Sequence, residues 1–158
     1  MSFTFHQSGS LQEAIQLGAR FAEHGRFIAG GTDLVIQINR KRLAPRHLVS
    51  LSGVPGLSGI DVSDAGIWIG ALTTLKSIER YSLFRNEIGM LGEAARVVGG
   101  HQVRNIGTIG GNVVNASPAA DTVAPLLALD ATLDLVGESG QRTIELARFL
   151  KGPGKTDR

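Results

Sequence analysis

Two short glycine-rich turns constrain this chain more than any other feature. Val103 to Asp121 reads V-R-N-I-G-T-I-G-G-N-V-V-N-A-S-P-A-A-D, and Ala29 to Leu34 reads A-G-G-T-D-L. Each sets small residues and a hydroxyl where the pattern has the chain leaving an apolar strand, so that free backbone N–H groups can approach an anion with no Cβ in the way. The sequence holds neither a G-x-x-x-x-G-K-[ST] loop nor a clean strand, G-x-G-x-x-G, helix unit. The pair therefore points to a diphosphate-bearing ligand held in a way foreign to the commonest nucleotide folds.

The flanking pattern predicts the elements that carry these turns. Phe3 to His6 alternates as a strand, and Ser10 with Glu13 forms a capping box for a helix that runs to Gly25. Arg26 to Ala29 reads as a short buried strand entering the first turn, Thr32 or Asp33 can cap the helix D-L-V-I-Q-I-N-R, and His47 to Leu51 is a third strand. Such β-α-β-α-β order implies a small parallel sheet with right-handed crossovers. Beyond a turn-rich joint at Gly53 to Gly56 the pattern changes. Gly59 to Val62 and Ile67 to Gly70 form a hairpin, Thr74 caps a helix, and a longer helix with Ile88, Leu91, Ala94, Ala95 and Val98 on one face closes at Gly99 and Gly100. After the central stretch, Thr122 to Leu129 reads as a helix with Pro125 in its first turn, and Leu133 to Val136 pairs with Arg142 to Glu145. The chain ends in a polar tail without a capping element. This is an α+β chain of two lobes, residues 1–53 and 54–158.

Composition narrows the function classes. With 158 residues and 42% hydrophobic content there is enough apolar material for one domain or two small lobes around a core. Sixteen basic and 14 acidic residues leave a formal charge of +2, which does not suggest nucleic acid. The densest basic run, Arg40, Lys41, Arg42 and Arg46, lacks interleaved aromatics and reads as a solvated helix end or a partner contact. Absence of cysteine excludes disulfides, thiolate chemistry and cysteine-ligated clusters within this chain. No segment approaches the roughly 18 apolar residues of a membrane span, so a cytoplasmic protein is the expectation.

Of the first turn, N–H groups of Gly30, Gly31, Thr32 and Asp33 would face an anion at a helix start. Asp33, whose carboxylate would repel phosphate, is expected to turn back and cap its own helix; a plain glycine turn is the alternative. In the second stretch Thr108, Gly110, Gly111, Asn112, Asn115, Ser117 and Asp121 need polar partners, supplied either by a ligand or by an irregular β-arch closed on its own backbone. Arg104 neutralises phosphate or lies on the surface. His6, His24, His47 and His101 lack metal-ligand spacing, and no G-x-S-x-G elbow or H-E-x-x-H helix is present. No catalytic residue and no metal site is assigned, and any chemistry falls to a cofactor.

Five motifs in order, A-G-G-T-D-L at Ala29 to Leu34, I-G-A-L-T-T at Ile69 to Thr74, V-R-N-I-G-T-I-G-G-N at Val103 to Asn112, A-S-P-A-A-D at Ala116 to Asp121 and F-L-K-G-P-G-K-T at Phe149 to Thr156, carry a resemblance. The chain resembles the flavin-binding subunit or domain of the molybdenum hydroxylases, the family of xanthine dehydrogenase, aerobic carbon monoxide dehydrogenase and 4-hydroxybenzoyl-CoA reductase. The resemblance implies a two-lobed FAD-binding fold of the vanillyl-alcohol-oxidase (PCMH) type with FAD between the lobes. By position, Ile28, Ala29, Gly30, Gly31, Thr32, Asp33 and Leu34 would wrap the pyrophosphate, while Thr108, Ile109, Gly110, Gly111 and Asn112 approach the pyrophosphate and ribityl chain. Asp121 would accept a hydrogen bond from the flavin nucleotide. Phe27 and Val98 match places near the isoalloxazine, although an aromatic often stands where this chain has Val98. The implied role is electron transfer beside an iron–sulfur subunit with two [2Fe–2S] clusters and a molybdopterin-binding large subunit, delivering electrons to NAD, oxygen or a quinone. Family members continue past G-P-G-K-T into a further strand and a C-terminal domain; with the sequence stopping at Arg158, the expectation is either a fragment of a longer protein or a shortened one. The alternative class is a truncated nucleotide-binding or assembly module without turnover.

Overall fold

In the computed structural model, which describes residues 2–157, the first fifty residues build a three-stranded parallel sheet. Strand β1 (Thr4–Gln7) and strand β2 (Gly25–Ile28) both flank β3 (His47–Ser50), giving the order β1-β3-β2. The last of the three strands in chain order thus enters the middle. Phe5 aligns with Leu48 on one side of β3, and Arg26 aligns with Leu48 on the other. Leu48 and Val49 are buried, as a central strand requires. Helix α1 (Leu11–Phe21) covers the sheet, with Ala14 buried. Its start is a variant of the expected capping box: the Ser10 hydroxyl accepts from the Glu13 N–H, while Glu13 Oε2 accepts from the N–H of Gly9, one residue before the cap, at 2.8 Å. The helix stops four residues short of Gly25, because Ala22 takes φ +36 and a 3₁₀ turn spans Ala22–His24. Helix α2 (Leu34–Asn39) follows the first glycine turn and returns the chain to β3.

Beyond this sheet the described residues form three hairpins and a set of short helices. Strands β4 (Ile60–Ser63) and β5 (Gly66–Ile69) pair antiparallel, as do β6 (Thr132–Gly137) and β7 (Gly140–Glu145). Between them run α3 (Leu75–Arg80), capped by Thr74, then α4 (Ser82–Asn86) and α5 (Gly89–Val97). The central stretch differs from the sequence expectation. It forms helix α6 (His101–Ile106), an elbow at Gly107, and helix α7 (Ile109–Asn115), so its glycines follow a helix and not a strand. Helix α8 (Val123–Ala128) carries Pro125 at its third residue, where a missing N–H costs nothing. The polar tail is also ordered. After α9 (Leu146–Phe149), strands β8 (Leu150–Gly152) and β9 (Lys155–Thr156) close a small hairpin, and the Gly154 N–H donates to the Ala116 carbonyl at 2.9 Å.

Helix α7 joins two cores. Ile109 packs in a cluster with Leu75, Ile78, Phe84, Leu91 and Ala95, while Val113, one turn later, packs with Leu146 and Phe149. Residues at i and i+4 share a helix face, so one short helix fastens both clusters. Phe84 and Phe149 are the largest fully buried side chains. Each contributes about 1.5–3 kcal/mol through burial.

Candidate functional site

The turn from β2 into α2 leaves a row of unused donors. Among the described residues, no protein acceptor takes the N–H of Gly30, Gly31, Thr32 or Asp33. Gly31 sits at φ +71°, which a residue with a Cβ adopts at a cost, and a Cβ there would stand 3.2 Å from both Ile28 Cδ1 and Val35 Cγ2. Asp33 does not cap. Its backbone is already helical (φ −99°, ψ −46°) and its side chain makes no capping bond, whereas a capping residue needs extended backbone. Thr32 likewise donates its hydroxyl to no protein group among the described residues, so the N–H groups and the hydroxyl of this turn are left without protein partners.

The second stretch meets this turn at the elbow. A Cβ on Gly30 would overlap the Ile106 carbonyl oxygen and stand 3.0 Å from the Gly107 N, so glycine here permits backbone-to-backbone approach. A Cβ on Gly107 would lie 3.6 Å from the Thr32 hydroxyl. Two segments more than seventy residues apart thus form neighbouring walls. The elbow residues Ile106 and Gly107 were not among the candidates from sequence; their place inside the matching motif was the available signal.

The backbone donors from Ile109 to Asn112 are already spent. Ile109 N–H goes to the Thr73 carbonyl at 3.0 Å, Gly110 N–H to the Ala71 carbonyl at 2.9 Å, and Asn112 N–H to the Thr108 carbonyl at 3.0 Å. The Thr108 hydroxyl accepts from the Gly111 N–H at 3.1 Å as the cap of α7. Thr122, fully buried, donates to Asn112 Oδ1 at 2.5 Å, and Ser117 Oγ accepts from the Ala119 N–H. Of the two alternatives, a helix–elbow–helix stands in place of a β-arch and satisfies the backbone N–H groups of Ile109, Gly110, Gly111 and Asn112 from within the protein. What they offer a ligand is the Nδ2 amide of Asn112, freed by the Thr122 bond, and the exposed, side-chain-free backbone of Gly111. The loop from Gly70 to Thr74, which accepts the N–H groups of Ile109 and Gly110, is the neighbouring part that residue chemistry alone had not singled out. Thr73 braces it, its hydroxyl bonding both the carbonyl and the N–H of Gly59 at 2.8 and 2.9 Å.

Arg104 takes neither of its two expected places. It is 6% exposed, and its Nε donates to Glu79 Oε2 at 3.0 Å while an η-nitrogen reaches the Gly99 carbonyl at 3.0 Å. Glu79 also receives Lys76 Nζ at 2.8 Å. The Lys76 hydrogen bond, with that from Arg104, holds the Glu79 carboxyl below its usual range against the opposing effect of burial. Phe27 lays its ring on Gly18 of α1 and remains half exposed, and Val98 packs against the first core cluster. Asp121 is exposed beside Thr122, which ties it through Asn112 to α7. His6 and His47, apart in sequence, meet at 3.1 Å between ring nitrogens, and Phe21 stacks on His47.

A family model described as "FAD binding domain in molybdopterin dehydrogenase" matches residues 1–158. The chain belongs to this FAD-binding domain family. It is 35% identical over 155 residues to the glyceraldehyde dehydrogenase medium chain of Sulfolobus acidocaldarius, covering 98% of this chain and 55% of the relative. It is 39% identical over 153 residues to the nicotinate dehydrogenase FAD-subunit of Eubacterium barkeri, covering 96% of this chain and 52% of the relative. In structure it superposes on reconstituted CO dehydrogenase from Oligotropha carboxidovorans with a TM-score of 0.96 at 29% identity, over 100% of this chain and 55% of that one. The domain therefore spans about half the length of the relatives it matches. Its fold is the α+β FAD-binding fold of the PCMH type, and its cofactor is FAD. The first turn fits that cofactor, since four unclaimed N–H groups and a glycine cradle suit a pyrophosphate. No helix among the described residues is long and apolar enough to cross a membrane.

Proposed function

We propose that this FAD-binding domain serves as the electron-transfer flavoprotein part of a cytoplasmic molybdenum hydroxylase. On this reading it takes electrons from [2Fe–2S] clusters on a partner subunit, which receives them from a molybdopterin-binding large subunit. A terminal acceptor, NAD, oxygen or a quinone, then removes them. FAD supplies the ability to accept electrons singly and release them as a pair. The chain's own residues bind and orient it, so no acid or base is assigned.

The observation that carries this is the row of unclaimed N–H groups from Gly30 to Asp33, set against the backbone of Ile106 and Gly107. In the proposed arrangement these donors take the pyrophosphate, with Ile28, Ala29 and Leu34 completing the turn. FAD lies between lobes of residues 1–53 and 54–158. From the second lobe, Thr108, Ile109 and Gly110 act by shape, whereas Gly111 and the Asn112 amide make direct contact; Asp121 accepts from the nucleotide. Phe27 lines the ring end of the cleft.

The test is the visible spectrum of the purified protein, with acid release and identification of the pigment, repeated on Gly31→Val. The expected result is released FAD from the parent and loss of at least about tenfold in FAD affinity in the variant. Unchanged FAD content in a folded Gly31→Val protein would reject the pyrophosphate assignment.

A further inference from the structure

Helix α6 is six residues long and carries Val103 and Ile106, so nothing local explains why it holds one position. Its anchor is Arg104. The buried guanidinium serves four acceptors at once: Glu79 Oε2 on α3 at 3.0 Å, the Gly99 carbonyl at 3.0 Å and the Val98 carbonyl at 3.4 Å beyond the end of α5, and His101 Nδ1 at 3.3 Å. Glu79, with its side chain only 16% exposed, is held on its other side by Lys76. Only arginine presents a fork of five donors able to satisfy a carboxylate, two carbonyls and an imidazole together.

Two residues beyond Arg104 lies the Ile106 carbonyl that borders Gly30, and the next carbonyl, of Gly107, accepts the Leu75 N–H at 2.9 Å. The elbow is thus pinned to α3 at two points, through its backbone at Leu75 and through Arg104 at Glu79. We propose that Arg104 is a positioning residue for the FAD cleft, fixing the Ile106–Gly107 wall at the distance that lets the Gly30 turn present its donors to the pyrophosphate. This rests on the reading that FAD lies at that turn. Arg104 itself does not touch the ligand in this arrangement. Its effect passes through the backbone two and three residues away.

The test compares FAD affinity, by quenching of flavin fluorescence, and the visible circular dichroism of bound flavin in the full chain and three variants. Arg104→Met removes the fork, Glu79→Gln keeps an acceptor oxygen but not the charge, and Phe149→Leu, in the second core, lowers thermal stability away from the elbow. The expected result is a loss of about tenfold or more in FAD affinity with an altered flavin dichroism in Arg104→Met, a smaller loss of the same kind in Glu79→Gln, and a change within about twofold in Phe149→Leu. If Arg104→Met fails to fold, Glu79→Gln decides alone. Affinity and dichroism like those of the parent in whichever of the two folds, or an equal loss in Phe149→Leu, overturns the positioning role. Failure of the parent protein to bind FAD would instead overturn the reading beneath it.

Discussion

Three glycines of the matching motifs serve three different ends. Gly31 supplies a positive φ, Gly30 lets one backbone approach another at Ile106, and Gly110 makes room for Ala71, whose carbonyl oxygen and Cβ would stand 2.7 and 2.9 Å from an added Cβ. Gly110→Ala should therefore lower stability by about 1–3 kcal/mol, read as a reduced urea midpoint with unchanged slope, because α7 must shift off the Gly70–Thr74 loop. A parent-like midpoint would mean that this contact relaxes freely. Sequence reading found all three positions and the need for small residues there. It could not tell a ligand-facing glycine from a packing one, since the deciding neighbour of Gly110 lies about forty residues away and that of Gly30 about eighty.

Among elements, those with strong local signals were legible: α1 from its capping box, the β4-β5 and β6-β7 hairpins from their turns, and α8 despite Pro125. Helices α6 and α7 were not, because valine, isoleucine and two adjacent glycines have poor helix propensity, and bonds from Thr73, Ala71 and Arg104 override it. The central place of β3 likewise depends on pairings that no local pattern reveals. One of its consequences is chemical, since it brings His47 beside His6 on β1. Burial first, then the positive neighbours His6, His24, Arg20 and Arg46, keep the His47 pKa below 6.5. A folded pKa below the unfolded one means the unfolded chain binds more protons, so this contribution to stability is complete above about pH 6.5 and is lost as pH falls through the folded value. His47→Gln should flatten that decline between about pH 7.5 and pH 5 in urea midpoints; an unaltered pH profile would place the acid sensitivity elsewhere.

For the molecule as a whole, α7 ties together two cores and begins at the elbow that forms one wall, while the neighbouring wall, the first glycine turn, follows the edge strand β2. The two walls differ in one respect that amide hydrogen exchange can read. The N–H groups of Ile109 and Gly110 are bound to protein carbonyls, and those of Gly30 to Asp33 are not. In protein stripped of flavin, the first pair should exchange slowly and the second group quickly; added FAD should slow the second group and leave the first almost unchanged. Slow exchange at Gly30 to Asp33 without FAD would show that these donors are already engaged. On the proposed reading, one wall is completed when the chain folds, whereas the other stays chemically open until a ligand arrives to occupy it.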